Sequence, residues 1–203
     1  MTVPSMMTAE RFATGLTYKA YVAQLTQNKD RILAHEKSNV LGPADIAAFA
    51  ALPRPLHVVA LTEDWCSDAV ATLPLVAALA ERSGKLDLRV FFRDKNEDLM
   101  GAHLKRGTFK SIPTFIFYDE AWNEVGTWHE KAEKIDVLRT KMRAEIYASD
   151  PAYGDPSGPF AALPVDVRER LSAAYWWMRD STTPLSNSET IAELRALLLN
   201  GAR

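Results

Sequence analysis

Apolar residues in the first fifty positions recur at the three-to-four-residue spacing of amphipathic helices. In TYKAYVAQL, which starts at a candidate N-cap, Thr17, the side chains of Tyr21, Val22 and Leu25 fall on one face. The segment NKDRILAHEK has a similar pattern, and Pro43 opens a third short helix, since proline is favoured at the first helical position. We therefore expect the chain to begin with a helical segment.

After residue 55 the pattern changes to short apolar runs separated by helical segments. Four runs are typical of strands: LHVVAL (56–61), LDLRVFF (86–92), TFIFY (114–118) and EVGTW (124–128). Helical spacing fills three segments between and after them: 66–82, 95–105 and 131–147. The first two strands, joined by a helix, should be parallel, and the last two form a hairpin. This order predicts an α/β, three-layer fold with a mixed four-stranded sheet covered by helices.

A proline- and glycine-rich connector, ASDPAYGDPSGPF, follows at residues 148–160. Two further helices are predicted after it, in PVDVRERLSAAYWWMRD and NSETIAELRALLLN. We therefore expect a single domain over residues 1–203. It would consist of an N-terminal helical extension (1–50), a core (51–147) and a C-terminal helical extension (148–203).

The composition narrows the class of protein. A formal net charge of -2 favours neither nucleic acid nor an anionic membrane as partner. No apolar run approaches the roughly 20 residues that span a bilayer, and the N-terminus lacks the pattern of a secretory signal. The sequence therefore predicts a cytoplasmic protein without nucleic-acid or membrane partners, and leaves its oligomeric state open.

Cys66, in LTEDWCSDAV, is the single cysteine of the chain. An intramolecular disulfide is therefore impossible, and any disulfide must join Cys66 to another molecule. A zinc site of several cysteines is excluded, and the four histidines are dispersed without ligand spacing. We expect no metal site. The charged segment WHEK (128–131) is taken as a solvated turn.

Groups near Cys66 both favour and oppose ionisation of its thiol. It follows a buried strand and precedes a helix, where unsatisfied N–H groups favour thiolate. The carboxylates of Glu63, Asp64 and Asp68 in the same loop oppose ionisation. Arg93, at the end of the neighbouring strand, is a candidate partner for the thiolate. The sequence leaves the balance between these influences open.

Three motifs together resemble the thioredoxin superfamily: DWCSDA, Pro74 eight residues after Cys66, and SIPTFIFY with Pro113 forty-seven residues after it. The resemblance covers about residues 56–147. More closely, the segment resembles bacterial thioredoxin-like proteins with a single-cysteine WC-x-D motif. The resemblance implies a nucleophilic cysteine at the start of a helix kinked by Pro74, facing a cis-proline loop.

The resemblance assigns roles to individual residues. Cys66 matches the nucleophile and Trp65 the tryptophan before it. Pro113 matches the cis proline, with Ile112 and Ser111 before it in the predicted substrate-binding loop. Asp68 replaces the proline of the family motif. Its role stays open between a plain helix-start residue and a catalytic residue that shuttles a proton or contacts the substrate.

Two departures restrict the chemistry that the resemblance implies. Ala69 stands in the place of the resolving cysteine, and Ala60 in the place of a buried acidic residue. We therefore expect a monothiol protein that exchanges with a protein disulfide or a small thiol, without a cofactor and with glutathione as a candidate co-substrate. The alternative is a non-catalytic binding module for a peptide or partner protein. A third, weaker hypothesis is iron–sulfur binding with glutathione.

Overall fold

The computed structural model describes residues 6–199 of the 203-residue chain. The helices are α1 (Ala9–Ala13), α2 (Tyr18–Ala23), α3 (Lys29–Ser38), α4 (Pro43–Ala50), α5 (Ala69–Ser83), α6 (Glu97–Ala102), α7 (Glu133–Ser149) and α8 (Val165–Leu199). The strands are β1 (Leu56–Thr62), β2 (Leu86–Phe92), β3 (Thr114–Tyr118) and β4 (Glu124–His129). All four predicted strands are present, within one residue of the predicted ends.

The strands form one mixed four-stranded sheet in the order β2-β1-β3-β4. β1 and β2 are parallel, from the pair Leu56 and Leu86 to the pair Thr62 and Phe92. β3 lies antiparallel to both β1 and β4. β1 and β3 hold the centre of the sheet, which explains why nearly every residue in them is buried. The predicted fold class is confirmed.

Helix α5 connects the two parallel strands. One face of it packs on β2, and α3 and α4 pack against it. Pro74 lies inside α5, as its position in the sequence predicted. The helix ends at Gly84, whose φ of 63° is in the left-handed region that glycine adopts at little cost. These contacts place α5 between β2 and the two helices α3 and α4.

One residue of the segment before α2 pairs with the outer strand of the sheet, β2. Leu16 forms an isolated antiparallel bridge with Val90 of β2, through two backbone hydrogen bonds of 2.9 and 2.8 Å. Gly15 fits against β2 because it has no Cβ: one built there would lie 2.5 Å from the Phe91 ring. The N-terminal helical segment is therefore bound to the outer strand of the sheet.

The chain divides into two compact units, one ending at Lys131 and resuming at Thr190, the other spanning Ala132–Glu189. The first unit contains the sheet and α1 to α6. The second has its own apolar cluster: Ile146, Tyr153, Val167, Leu171 and Met178. Among residues 6–199, none of the helices combines the length and the apolar character needed to cross a membrane.

The C-terminal region differs from the prediction, since one helix, α8, replaces the two expected. It continues through Pro184, which cannot donate a backbone hydrogen bond. Two threonine hydroxyls just before the proline bond backbone carbonyls one turn back: Thr182 donates to Met178 at 2.8 Å and Thr183 to Arg179 at 2.9 Å. The segment 181–186, which was expected to separate two helices, is therefore part of α8, and the proline does not interrupt it.

Candidate active site

Cys66 lies in the loop between β1 and α5, and its side chain is buried, with 6% exposed. The Cys66 N–H donates to the carbonyl of Glu63 at 3.2 Å, which forms a tight turn before the helix. Helix α5 therefore begins at Ala69, three residues later than predicted. The thiol donates to the carbonyl oxygen of Ile112 at 3.3 Å.

The peptide bond between Ile112 and Pro113 is cis. Both residues are buried, whereas Ser111 is half-buried. Two hydrogen bonds fix this loop: the Thr114 hydroxyl donates to the Ser111 carbonyl at 2.7 Å, and the Glu130 N–H donates to the Pro113 carbonyl at 2.6 Å. The structure therefore brings three predicted site residues, Cys66, Ile112 and Pro113, into one buried cluster.

The thiol of Cys66 is strongly disfavoured as a thiolate. Burial raises its pKa to about 12, and the negative charges of Asp68 and, to a smaller extent, Glu130 add to the increase. The backbone N–H groups of Ala69 and Asp68 act in the opposite direction. Because burial and the carboxylates outweigh the helix start, Cys66 is a neutral thiol near pH 7.

Asp68 belongs to a row of charged side chains. Its carboxylate lies 3.6 Å from the ammonium of Lys131, which also pairs with Glu130. The other carboxylate oxygen of Glu130 lies 3.0 Å from the ammonium of Lys105. Asp68 precedes α5 without capping it through its side chain. The predicted plain helix-start role therefore lacks the usual capping hydrogen bond.

Sequence reasoning missed Lys131, Glu130 and Lys105. WHEK was expected to be a solvated turn, yet Lys131 is 11% and Glu130 23% exposed. The available signal was topological, since this segment follows β4, whose neighbour β3 begins directly after the Pro113 loop. A charged turn at the same end of the sheet as the cysteine is therefore a candidate part of the site.

Trp65 lies exposed at the edge of the site, with the half-buried Arg93 beside it. Trp65 is 47% exposed, and the guanidinium of Arg93 lies 5.0 Å from the centre of its ring. Arg93 also forms an ion pair with Asp94 at 2.7 Å. Its pairing with a Cys66 thiolate stays a prediction, because these contacts direct the charge toward Trp65 and Asp94.

The N-terminal segment holds the cysteine loop through Asp64. The hydroxyl of Thr26 donates to the Asp64 carboxylate at 2.6 Å, and the Asn28 amide donates to the Asp64 carbonyl at 2.9 Å. The neighbouring Glu63 carboxylate accepts from the Asp94 N–H at 2.8 Å. Since Asp68 pairs with Lys131, all three acidic residues predicted to oppose the thiolate have polar partners.

No cluster of three or more histidine, cysteine, aspartate or glutamate side chains in residues 6–199 is arranged to hold a metal ion. The arrangement around Cys66 therefore offers the chemistry of a single thiol beside a cis-proline loop. A sheet ordered β2-β1-β3-β4, with such a thiol before a proline-containing helix, defines the class of thioredoxin-like proteins.

The comparison with known families makes the assignment specific. The sequence profile of a family described as Thioredoxin matches residues 15–143, more than half of the chain. The chain therefore belongs to this thioredoxin family, and the membership predicted from the three motifs is confirmed. No protein of curated function matches the sequence.

Two solved structures are similar to the chain. The crystal structure of an HIV epitope scaffold shares 18% identity with a TM-score of 0.62, over 96% of this chain and 98% of that one. The crystal structure of a protein of unknown function from Pseudomonas aeruginosa shares 16% identity with a TM-score of 0.58, over 87% of this chain and 99% of that one. At these identities the similarity shows a shared fold.

Proposed function

We propose that the chain is a monothiol thioredoxin-like protein in which Cys66 exchanges with a disulfide of another molecule. The observation that supports the proposal is the place of the thiol. It lies at the cysteine position of the family motif, 3.3 Å from the Ile112 carbonyl directly before the cis proline. Loss of the thiol proton would free that carbonyl to accept a hydrogen bond from an extended substrate.

The exchange takes two steps. The Cys66 thiolate attacks one sulfur of the substrate disulfide, a new sulfur–sulfur bond forms, and the other substrate sulfur leaves as a thiolate. An external thiolate then attacks the substrate sulfur of the mixed disulfide and releases Cys66. Because Ala69 stands where thioredoxins have their second cysteine, the resolving thiol must come from a protein or a small thiol such as glutathione.

The burial of the thiol favours a second function, a non-catalytic binding module. Because burial raises the pKa of Cys66 to about 12, the thiol is almost entirely protonated at pH 7. Trp65, half-exposed beneath Arg93, offers an aromatic and cationic contact that needs no thiolate. In this function an extended peptide would contact Trp65 and the half-buried Ser111.

Incubation of the full chain with glutathione disulfide separates the two functions. We expect a glutathione adduct on Cys66, detected by mass spectrometry, to form slowly at pH 7. At pH 9 it should form about 100-fold faster, because the thiolate fraction rises tenfold per pH unit below the pKa. Cys66→Ser is the matched control and should form no adduct.

Absence of an adduct at both pH values, from a folded protein, would rule out exchange. The binding module makes a different prediction, which is tested with a peptide that the wild-type chain retains. Cys66→Ser should retain that peptide with unchanged affinity, and Trp65→Ala should lose it. A mixed disulfide trapped on wild type and lost with Cys66→Ser would instead support exchange.

A further inference from the structure

Four charged side chains form a row of ion pairs beside the thiol. Asp68 pairs with Lys131 at 3.6 Å, Lys131 with Glu130, and Glu130 with Lys105 at 3.0 Å. The exposed fractions of these side chains lie between 11% and 23%. Solvent therefore screens these charges less than it screens fully exposed pairs.

The row of ion pairs connects the cysteine loop with the cis-proline loop. Asp68 is two residues from Cys66, and the Glu130 N–H donates to the carbonyl of Pro113 at 2.6 Å. Glu130 has a φ of 61°, in the left-handed region that costs a residue with a side chain about 1–2 kcal/mol. The ion pairs and the bond to Pro113 hold the backbone in this conformation.

The charged groups that influence ionisation of the thiol are mainly negative. The carboxylates of Asp68 and Glu130 both oppose a thiolate at Cys66. The phenol of Tyr21, on α2, also faces the thiol. It stays neutral because burial raises its pKa above the usual value for tyrosine. Lys131 brings a positive charge between the two carboxylates that oppose ionisation.

We propose that Lys131 is a positioning residue for the exchange reaction: it holds the carboxylates of Asp68 and Glu130 and offsets the negative charge with which they oppose a Cys66 thiolate. This inference rests on the proposed function, because a thiol that never ionises needs no balancing charge. The row of ion pairs would then influence ionisation of the thiol, in addition to holding the segment after β4 against the cis-proline loop.

The rate at which iodoacetamide alkylates Cys66, followed by mass spectrometry from pH 7 to pH 10, tests the proposal. Lys131→Met should slow alkylation at a fixed pH by about tenfold, the effect of one unit of thiol pKa. Lys131→Arg should restore the rate, because it keeps the charge. Lys134→Met, which removes a 76% exposed lysine paired with Glu189, is the matched control and should change nothing.

If Lys131 had a purely structural role, Lys131→Met would leave the alkylation rate of Cys66 unchanged or increase it. Loosening of the loop would expose Cys66, so a Lys131→Met protein that is alkylated as fast as wild type, or faster, would overturn the proposal. Should Lys131→Met fail to fold, Asp68→Asn and the double variant Asp68→Asn/Lys131→Met provide the comparison. Alkylation of the double variant should be about tenfold slower than that of Asp68→Asn, and equal rates would contradict the inference.

The experiment also separates this inference from the proposed function. Alkylation reports ionisation and access of the thiol without any disulfide. A Lys131-dependent alkylation rate without a glutathione adduct would refute exchange and keep the electrostatic role. An adduct that forms equally fast in wild type and Lys131→Met would support exchange and refute the role of Lys131.

Discussion

At Cys66, burial and charge both favour the protonated thiol, although the residue stands at a helix start. The N–H groups of Ala69 and Asp68 lower the pKa, but burial and the Asp68 carboxylate raise it by more. The position in the fold is that of a nucleophile, while the surroundings are those of a buried side chain. Reactivity at this residue is therefore decided by its neighbours.

The raised pKa makes stability depend on alkaline pH. The thiol titrates near pH 9 in the unfolded chain and near pH 12 in the folded one, so the unfolded state loses its proton first. The contribution of Cys66 is fully present below about pH 9. It is lost between pH 9 and 12, at no more than roughly 1.4 kcal/mol per pH unit.

Urea unfolding of wild type and Cys66→Ala, under reducing conditions from pH 8 to pH 11, measures this contribution. The difference in unfolding free energy should shrink as the pH rises. Buried tyrosines also destabilise the protein at high pH, and the comparison cancels their contribution except at Tyr21, whose pKa the charge of Cys66 also raises. Parallel curves over this range would show that the thiol pKa is not raised.

The charged residues show how far a sequence pattern predicts a site. Cys66, Ile112 and Pro113 were found because the family motifs mark them. Arg93 was chosen as the thiolate partner because β2 ends near the site, yet it contacts Trp65 and Asp94. Lys131 was missed because a lysine beside a glutamate in sequence usually indicates a solvated turn, and burial depends on distant segments.

At the level of elements, the strands were predictable because their positions in the sheet impose continuous apolar runs. The start of α5 and the continuity of α8 were less so. Residues 66–68, predicted as helix, form a turn before α5, and the two helices predicted around residues 181–186 are one continuous helix. Local hydrogen bonds such as the one from the Cys66 N–H to Glu63 leave no hydrophobic pattern.

The contact of the N-terminal segment with β2 makes Gly15 sensitive to substitution. A Cβ at Gly15 would lie 2.5 Å from the Phe91 ring and 2.7 Å from the Cβ of Arg89. Gly15→Ala should lower the unfolding free energy by about 1–3 kcal/mol, as overpacking does elsewhere. Gly101→Ala, in α6 with open space around it, should be neutral or stabilising by up to about 1 kcal/mol. Equal unfolding midpoints for both variants would contradict the close packing.

At the scale of the whole molecule, access to Cys66 depends on how the fold opens. A thiol that is 6% exposed reacts mainly from conformations in which its loop has moved. The hydrogen bonds from Thr26 and Asn28 to Asp64 hold that loop. We therefore expect the N-terminal segment, which the family resemblance did not cover, to affect access to Cys66.

Thr26→Val removes the 2.6 Å hydroxyl bond to Asp64 and should speed alkylation of Cys66 by roughly twofold to tenfold, the effect of one ordinary hydrogen bond. Thr108→Val, in an exposed turn, is the control. Mass spectrometry gives the rates, and urea unfolding shows whether global stability has changed. An unchanged rate for Thr26→Val would show that the loop opens independently of the N-terminal segment.

The bridge between Leu16 and Val90 also bears on how copies of the protein meet one another. β2 lies at one border of the sheet, where unpaired backbone groups invite a strand from a second molecule. Leu16 occupies the N–H and carbonyl of Val90, in the middle of that border. The N-terminal segment thereby interrupts the row of free backbone groups, which disfavours pairing with a second molecule at this border of the sheet.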